Sequence, residues 1–190
     1  MLIKKRCQGG LFAGLMLVLL SGWAGEFRDV QAKAEKGDQA AMLEAGIQLV
    51  QGQEKPLRAG QALALLQPLA ESGNARAMVW LGRVYREGLA GVEKSPVRAF
   101  QYFETAAGRT GRDPEGQLEL GSAYLNGTGT DRNLIAAYMW TSLSLENGSV
   151  TPELADRAGK QQKQLAARLN DVQLEKARQL VSQIKFIYLN

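Results

Sequence analysis

Residues 81–107 read LGRVYREGLAGVEKSPVRAFQYFETAA, and residues 120–145 read LGSAYLNGTGTDRNLIAAYMWTSLSL. The two stretches say the same thing. Leu81-Gly82, Tyr85, Gly88 and Gly91-Val92 are answered by Leu120-Gly121, Tyr124, Gly127 and Gly129. Further on, Ser95, Ala99, Tyr102 and Ala106-Ala107 are answered by Asn133, Ala137, Trp140 and Ser144-Leu145. Gly121 follows Gly82 by 39 residues, and Ala137 follows Ala99 by 38. A fixed period of this size marks a helical repeat array.

Each unit reads as two helices. Leu81, Val84 and Tyr85 share one face of the first. Gly82 interrupts that helix at a cost of about 1 kcal/mol against alanine, which a close approach of a neighbouring backbone would justify. Gly121 stands at the equivalent place. Gly88 and Gly127 suit a left-handed residue after the last turn. Ser95-Pro96 opens the second helix with a side-chain acceptor and a proline at the first helical position, and Asn133 holds the same post one unit later. Ala99, Tyr102 and Ala106, against Ala137, Trp140 and Ser144, are expected to give the second helix its inward stripe, with the aromatic filling the gap between small residues.

The alternation of Leu-Gly, Tyr and Gly-x-Gly, followed by a small-residue helix with an aromatic, resembles the Sel1-like repeat family. The first copy departs from the pattern in its loop, Gly88 to Val92, which is one residue longer, and in Tyr102 where Trp is usual. The resemblance implies an all-α fold, a right-handed superhelical solenoid of antiparallel helix pairs related to tetratricopeptide repeats. It also implies protein–protein interaction far more often than catalysis.

The flanks extend the array. Gly37-Asp38 recurs as Gly73-Asn74 after 36 residues, and Asp113-Pro114 stands at the same place one unit later; all three acceptors suit an N-cap. Three repeats are therefore expected over 38–150, with boundaries 38–73, 74–112 and 113–150. The first is degenerate: Ala45-Gly46 replaces Leu-Gly, Leu49 replaces Tyr, Arg58 stands where the cap should be, and Pro68 lies inside the second helix, where it should kink it or shift its start. A capping helix over 25–37 precedes them, with Phe27, Val30 and Ala34 at helical spacing. A helix pair over 151–190 follows them. Its first helix starts at Thr151-Pro152 and buries Leu154, Ala158, Leu165 and Leu169. Its second starts with an Asn170/Gln173 capping box, with Val172, Leu174, Ala177, Leu180, Val181, Ile184 and Ile187 inward. The apolar Phe186-Ile187-Tyr188-Leu189 is expected to fold back on the array or to dock into a partner.

The length of 190 residues suits one domain, and 45% hydrophobic with 22% charged residues is an ordinary globular balance. Lys4, Lys5 and Arg6 precede the apolar run Leu11 to Leu20, then Ser21 to Ala24. This reads as a secretory signal over 1–24 with a cut between Ala24 and Gly25, giving a periplasmic or secreted protein. The alternative is anchorage by an uncut N-terminal segment, the membrane contact the sequence allows. Cys7 precedes the apolar run, so a lipoprotein cut is not supported. Without the three basic residues of that segment, the charge falls from +4 to about +1. No basic block with interleaved aromatics remains, so no nucleic-acid partner is expected.

The chain contains no histidine, and its one cysteine lies in the signal. That removes the commonest general base and metal ligand and every thiolate site. Ser182 and Lys185 have the Ser-x-x-Lys spacing, but without its partner motifs. Glu115 and Glu119 are spaced as a carboxylate pair on a helix face, where solvated acids are the ordinary case. No catalytic residue, metal or cofactor is expected. The expected function is an exported adaptor or regulator that holds a protein or peptide on its solenoid surface. Helical phase places Arg83, Arg86, Glu87, Ser122 and Asn126 on that surface. The alternatives are a hydrolase acting on cell-wall material or a β-lactam, which the resemblance suggests, and a structural scaffold in an envelope assembly.

Overall fold

The computed structural model of the chain describes residues 28–52, 59–108 and 111–189, and these hold nine helices and no strand. The signal with Ala24 and Gly25, as well as Phe27 and Arg58, lies outside the described residues. The order is α1 (28–34), α2 (Gln39–Gln51), α3 (Ala59–Glu71), α4 (Ala75–Glu87), α5 (Pro96–Ala107), α6 (Pro114–Asn126), α7 (Leu134–Leu145), α8 (Pro152–Ala166) and α9 (Asp171–Leu189). Sequential helices pack in pairs, α2 with α3, α4 with α5 and α6 with α7, and each pair leans on the next. The architecture is an all-α solenoid.

The helix ends are set by the residues whose spacing gave the period. Asp38, Asn74 and Asp113 each accept from the backbone N–H three residues on, at 3.0, 3.0 and 2.7 Å. Asn133 accepts from Ala136 at 3.0 Å, Ser95 more loosely from Arg98 at 3.4 Å. These bonds satisfy amides a helix start leaves free. Gly88 and Gly127 close α4 and α6 in the left-handed region, with φ of 72° and 70°. The N–H groups of Ser95 and Asn133 then donate back to the carbonyls of Tyr85 and Tyr124, at 2.8 and 2.9 Å. The same loop thus folds the same way twice, despite its extra residue in the first copy, where Ala90 takes a φ of 58°.

Inside each pair, the glycine of the first helix meets one residue of the second. A Cβ on Gly46 would stand 2.7 Å from Leu66 Cδ2; one on Gly82 would enter the ring of Phe103; one on Gly121 would stand 2.7 Å from Thr141 Oγ1. Leu66, Phe103 and Thr141 are all buried. One turn earlier lie Ala62, Ala99 and Ala137, each fully buried. Small residue, then knob, is therefore the motif of the second helix. The expected inward aromatic is corrected here. Phe103, one turn on from Ala99, faces Gly82, whereas Tyr102 is rotated about 100° around the helix. It stays half-buried, stacked on Tyr85 with ring centroids 5.7 Å apart. Trp140 is likewise half-buried, while Thr141 faces the glycine.

Pro68 lies within α3, which runs on to Glu71, so the proline does not set the start of that helix. At the other end, α7 is buried on nearly all sides. Ala137, Tyr138, Met139, Thr141, Ser142, Leu143 and Ser144 are all shielded, because α6, α8 and α9 each pack against it. A helix apolar all round belongs in such a place. Leu154, Ala158, Leu165 and Leu169 are buried as expected, and the Asn170/Gln173 box closes with bonds of 2.9 and 3.1 Å.

On α9 one expectation fails and another is narrowed. Val172 is 79% exposed, because the buried stripe runs through Ala177 and Val181, and Val172 lies off its phase. Of the two alternatives for the terminal segment, Phe186 does not fold back on the array: it is 74% exposed on α9, which continues to Leu189. The side chain of Ile187 lies outside the described residues. At the other end of the array, Ala34 of α1 is buried against Ala41 and Ala45, with Val30 beside it.

The repeats are also fitted to one another. Gly129, at φ 74°, sits where a Cβ would collide with the Pro96 carbonyl and come within 3.0 Å of Phe100 Cβ. The loop after α6 therefore rests on the first turn of α5, with Tyr124 edge-on to Phe100 at 5.4 Å.

If these contacts set the fold, Gly82→Ala destabilises the chain by about 2 kcal/mol through overpacking. Gly159→Ala is the control, since a Cβ there meets nothing within 4 Å on helix α8. It stabilises by about 0.5–1 kcal/mol through helix propensity. Urea unfolding followed by circular dichroism measures both, and equal effects would refute the close-approach account.

Candidate functional site

The first helices of the pairs, α2, α4, α6 and then α8, touch one another in succession, whereas α3, α5 and α7 approach each other less closely. The side on which neighbours approach is the inner side of a curved stack. Its surface is set by helical phase. Arg76, Trp80, Arg83 and Glu87 follow one another at four, three and four residues along α4, and Glu115, Glu119, Ser122 and Asn126 do the same along α6.

Across this face runs a connected set of charges. Arg83 on α4 donates to Glu119 on α6 at 2.7 and 2.9 Å and to Glu115 at 2.5 Å. Arg86 reaches Glu119 at 2.5 Å and the neighbouring Glu87 at 2.7 Å. From α8, Arg157 reaches Glu115 at 3.2 Å and Glu119 at 3.8 Å. Three successive helices are thereby stitched together. The acids are not a solvated pair, as the sequence suggested. The Glu119 side chain is only 5% exposed, because two guanidinium groups compensate its charge. Burial alone would raise the Glu119 carboxyl, but the attraction of Arg83 and Arg86 outweighs it and holds the group below the ordinary carboxylate range.

A neutral chain makes the next tie. The Ser122 hydroxyl donates to Gln161 on α8 at 2.8 Å; the Gln161 amide donates to Thr141 Oγ1 at 2.8 Å; and that hydroxyl donates to the Ala137 carbonyl at 2.7 Å. Of the five positions placed on the surface from helical phase, Arg83, Arg86, Glu87 and Ser122 thus hold partners within the chain, while Asn126 is exposed at the end of α6. The structure adds Trp80, half-buried, with the Arg83 guanidinium 4.9 Å from its ring centroid. Its indole packs against the buried cluster that includes Ala77 and Leu81. The face therefore runs from apolar at Trp80 to charged at Arg83, Glu115 and Arg157. Trp80 precedes Arg83 by three residues, so the phase argument that found the arginine also contained the tryptophan.

Ser182 and Lys185 do not form a dyad. The Ser182 hydroxyl donates to the Arg178 carbonyl at 3.2 Å, and Lys185 pairs with Glu146 at 2.6 Å.

The sequence model of the Sel1 repeat family matches residues 75–109 and 114–149, the pairs α4–α5 and α6–α7. Those two stretches of the chain are Sel1 repeats. Sel1 repeat proteins act as protein-interaction modules. The chain is 32% identical over 109 residues to the ERAD-associated E3 ubiquitin-protein ligase component HRD3B of Arabidopsis thaliana. That match takes in 57% of this chain but only 17% of the plant protein. Among solved structures, it is similar to a protective antigen of uropathogenic Escherichia coli strains displaying an SLR fold. The TM-score is 0.73 at 22% identity, over 85% of this chain and 33% of the antigen. It is also similar to a Sel1 repeat protein from Oxalobacter formigenes, with a TM-score of 0.57 at 25% identity, over 72% of this chain and 61% of that one. The chain thus spans about a sixth of the curated relative. The likeness to the antigen is one of fold alone.

Replacing Glu119 by Gln leaves buried guanidinium groups short of a counter-charge, which costs about 3 kcal/mol. The pH dependence has a definite sign. A carboxyl with a lowered native pKa contributes stability that is complete above its unfolded value and is lost as pH falls through its native value. The wild-type chain therefore loses stability on acidification below the ordinary glutamate value of 4.5, and Glu119→Gln shows a flatter acid limb. Chemical denaturation from pH 7 to pH 3 measures both; parallel acid limbs would contradict the assignment.

Proposed function

We propose that the chain is an exported binding module that holds a protein or peptide partner on the inner face of its first helices. The observation that carries this reading is Trp80, half-buried beside an arginine already fixed by two carboxylates. Tryptophan and arginine are enriched at the energetic centres of interfaces. Side chains held in place by intramolecular bonds lose little freedom when a partner arrives. The charges of this face compensate one another, so a partner is recognised by an apolar anchor against Trp80 with a polar margin towards Glu115 and Arg157. Repeat stacks present such extended surfaces by their curvature. The export half of the proposal rests on the basic, apolar and small-residue succession of residues 4–24. No helix among the described residues is long and apolar enough to cross a membrane.

Photo-crosslinking amino acids test the surface. Placed at Ala40, Glu87 and Asn126, all exposed on first helices, they should yield discrete crosslinked species in cells. Placed at Val97 and Gln101, exposed on α5, they should not. Crosslinks confined to the α5 positions would move the site to the outer face. Mass spectrometry of the protein recovered from the periplasmic fraction should find an N-terminus at Gly25; recovery only in the cytoplasm would overturn export.

A further inference from the structure

A recess lies between α7, α8 and α9, apart from the inner row just described. It is shallow and open to solvent, with about 370 Å³, a volume in the range of small-ligand sites. Its polar groups are unevenly used. Arg178 has no side-chain partner among the described residues, and neither does the phenol of Tyr138. Ser142 is 2% exposed; its Oγ accepts from the Gln162 amide at 2.8 Å, and its own hydroxyl hydrogen has no acceptor among the described residues. The one acid in the lining, Glu146, is held by Lys185 at 2.6 Å. Apart from the side-chain carbonyl oxygen of Gln162, what the recess offers is donors: a guanidinium, a phenol and a shielded hydroxyl, with one positive charge left over. Beside them, Val181 and the Tyr138 ring form an apolar wall.

A group that only accepts, carries negative charge and is planar matches this set. A carboxylate fits on all three counts, since it takes two parallel N–H bonds from a guanidinium and keeps lone pairs for hydroxyl donors. We propose that this recess binds a carboxylate carried by a peptide, with the adjoining side chain against Val181 and Tyr138. Arg178 supplies the charge, and Ser142 with Tyr138 fixes the orientation. The carboxylate comes from a chain end or from an aspartate or glutamate side chain.

Titration calorimetry on the full chain tests this with four probes. They are a hexapeptide ending in leucine with a free carboxylate, its C-terminal amide, an amidated hexapeptide with an internal aspartate, and inorganic phosphate. Binding of the free acid at least tenfold tighter than of its amide supports a chain-end carboxylate. Binding of the internal-aspartate peptide in place of the free acid supports a side-chain carboxylate. Either preference should fall about tenfold in Arg178→Gln, whose side chain is exposed and makes no contact the fold needs, and severalfold in Ser142→Ala. The proposal is overturned if neither the free acid nor the internal-aspartate peptide binds more tightly than the amide, if Arg178→Gln leaves binding unchanged, or if phosphate binds as tightly as the peptides. Circular dichroism of each variant should match the wild type. A folded Arg178→Gln with unaltered affinity is decisive against the assignment, whatever becomes of Ser142→Ala.

Discussion

Each repeat depends on one contact between a backbone with no side chain and a bulky neighbour. Gly46 faces Leu66, Gly82 faces Phe103 and Gly121 faces Thr141. The missing Cβ lets the second helix come closer than any larger residue would permit, and the buried column Ala62, Ala99 and Ala137 keeps that approach open one turn earlier. The knob changes from aliphatic to aromatic to hydroxyl, while the glycine does not. A core tolerates exchange of side chains that keep volume and pattern, but no side chain can replace the absence of one. The third knob shows what this freedom permits. Thr141 brings a polar atom into the seam, where its hydroxyl donates to Ala137 and accepts from Gln161.

Contacts within a pair and contacts between pairs are made of different materials. Inside the first two pairs the glycine meets an apolar knob, whose attraction is non-directional; in the third a hydroxyl takes that place. Between pairs, Arg83, Glu115, Glu119 and Arg157 form directional bonds whose geometry admits one alignment. Buried ion pairs add little net stability over apolar groups of the same shape, and their best-attested service is to fix register. In a stack of near-identical units, register is what apolar surfaces leave least defined. Between α6 and α8 the same service falls to Ser122 and Gln161.

The fold was legible because the array writes each instruction more than once. The Gly-Asx junction, the Leu-Gly pair and the paired loop glycines all recur in phase, and each proved to be a cap, a close approach or a left-handed turn. Features without a second copy were harder to read. Val172 matched an apolar pattern but fell outside the face that α9 buries, because nothing in the sequence shows that α9 lies against α7. Phe103 was hidden by Tyr102 and Trp140, which align more conspicuously but do not face the glycine. The surface face was partly legible. Helical phase located Arg83 and Ser122, yet their partners are 36 and 39 residues away in the chain, and no local pattern reveals such pairing.

The turn at Gly129 bears on shape. It is seated against the Pro96 carbonyl of the preceding unit, with no room for a methyl group, and so acts as a spacer gauge between outer rods. A thicker spacer there would open the outer spacing while the inner helices stayed tied by their charges. The superhelical pitch, and with it the width of the hollow offered to a guest molecule, would then change without any substitution in the hollow itself.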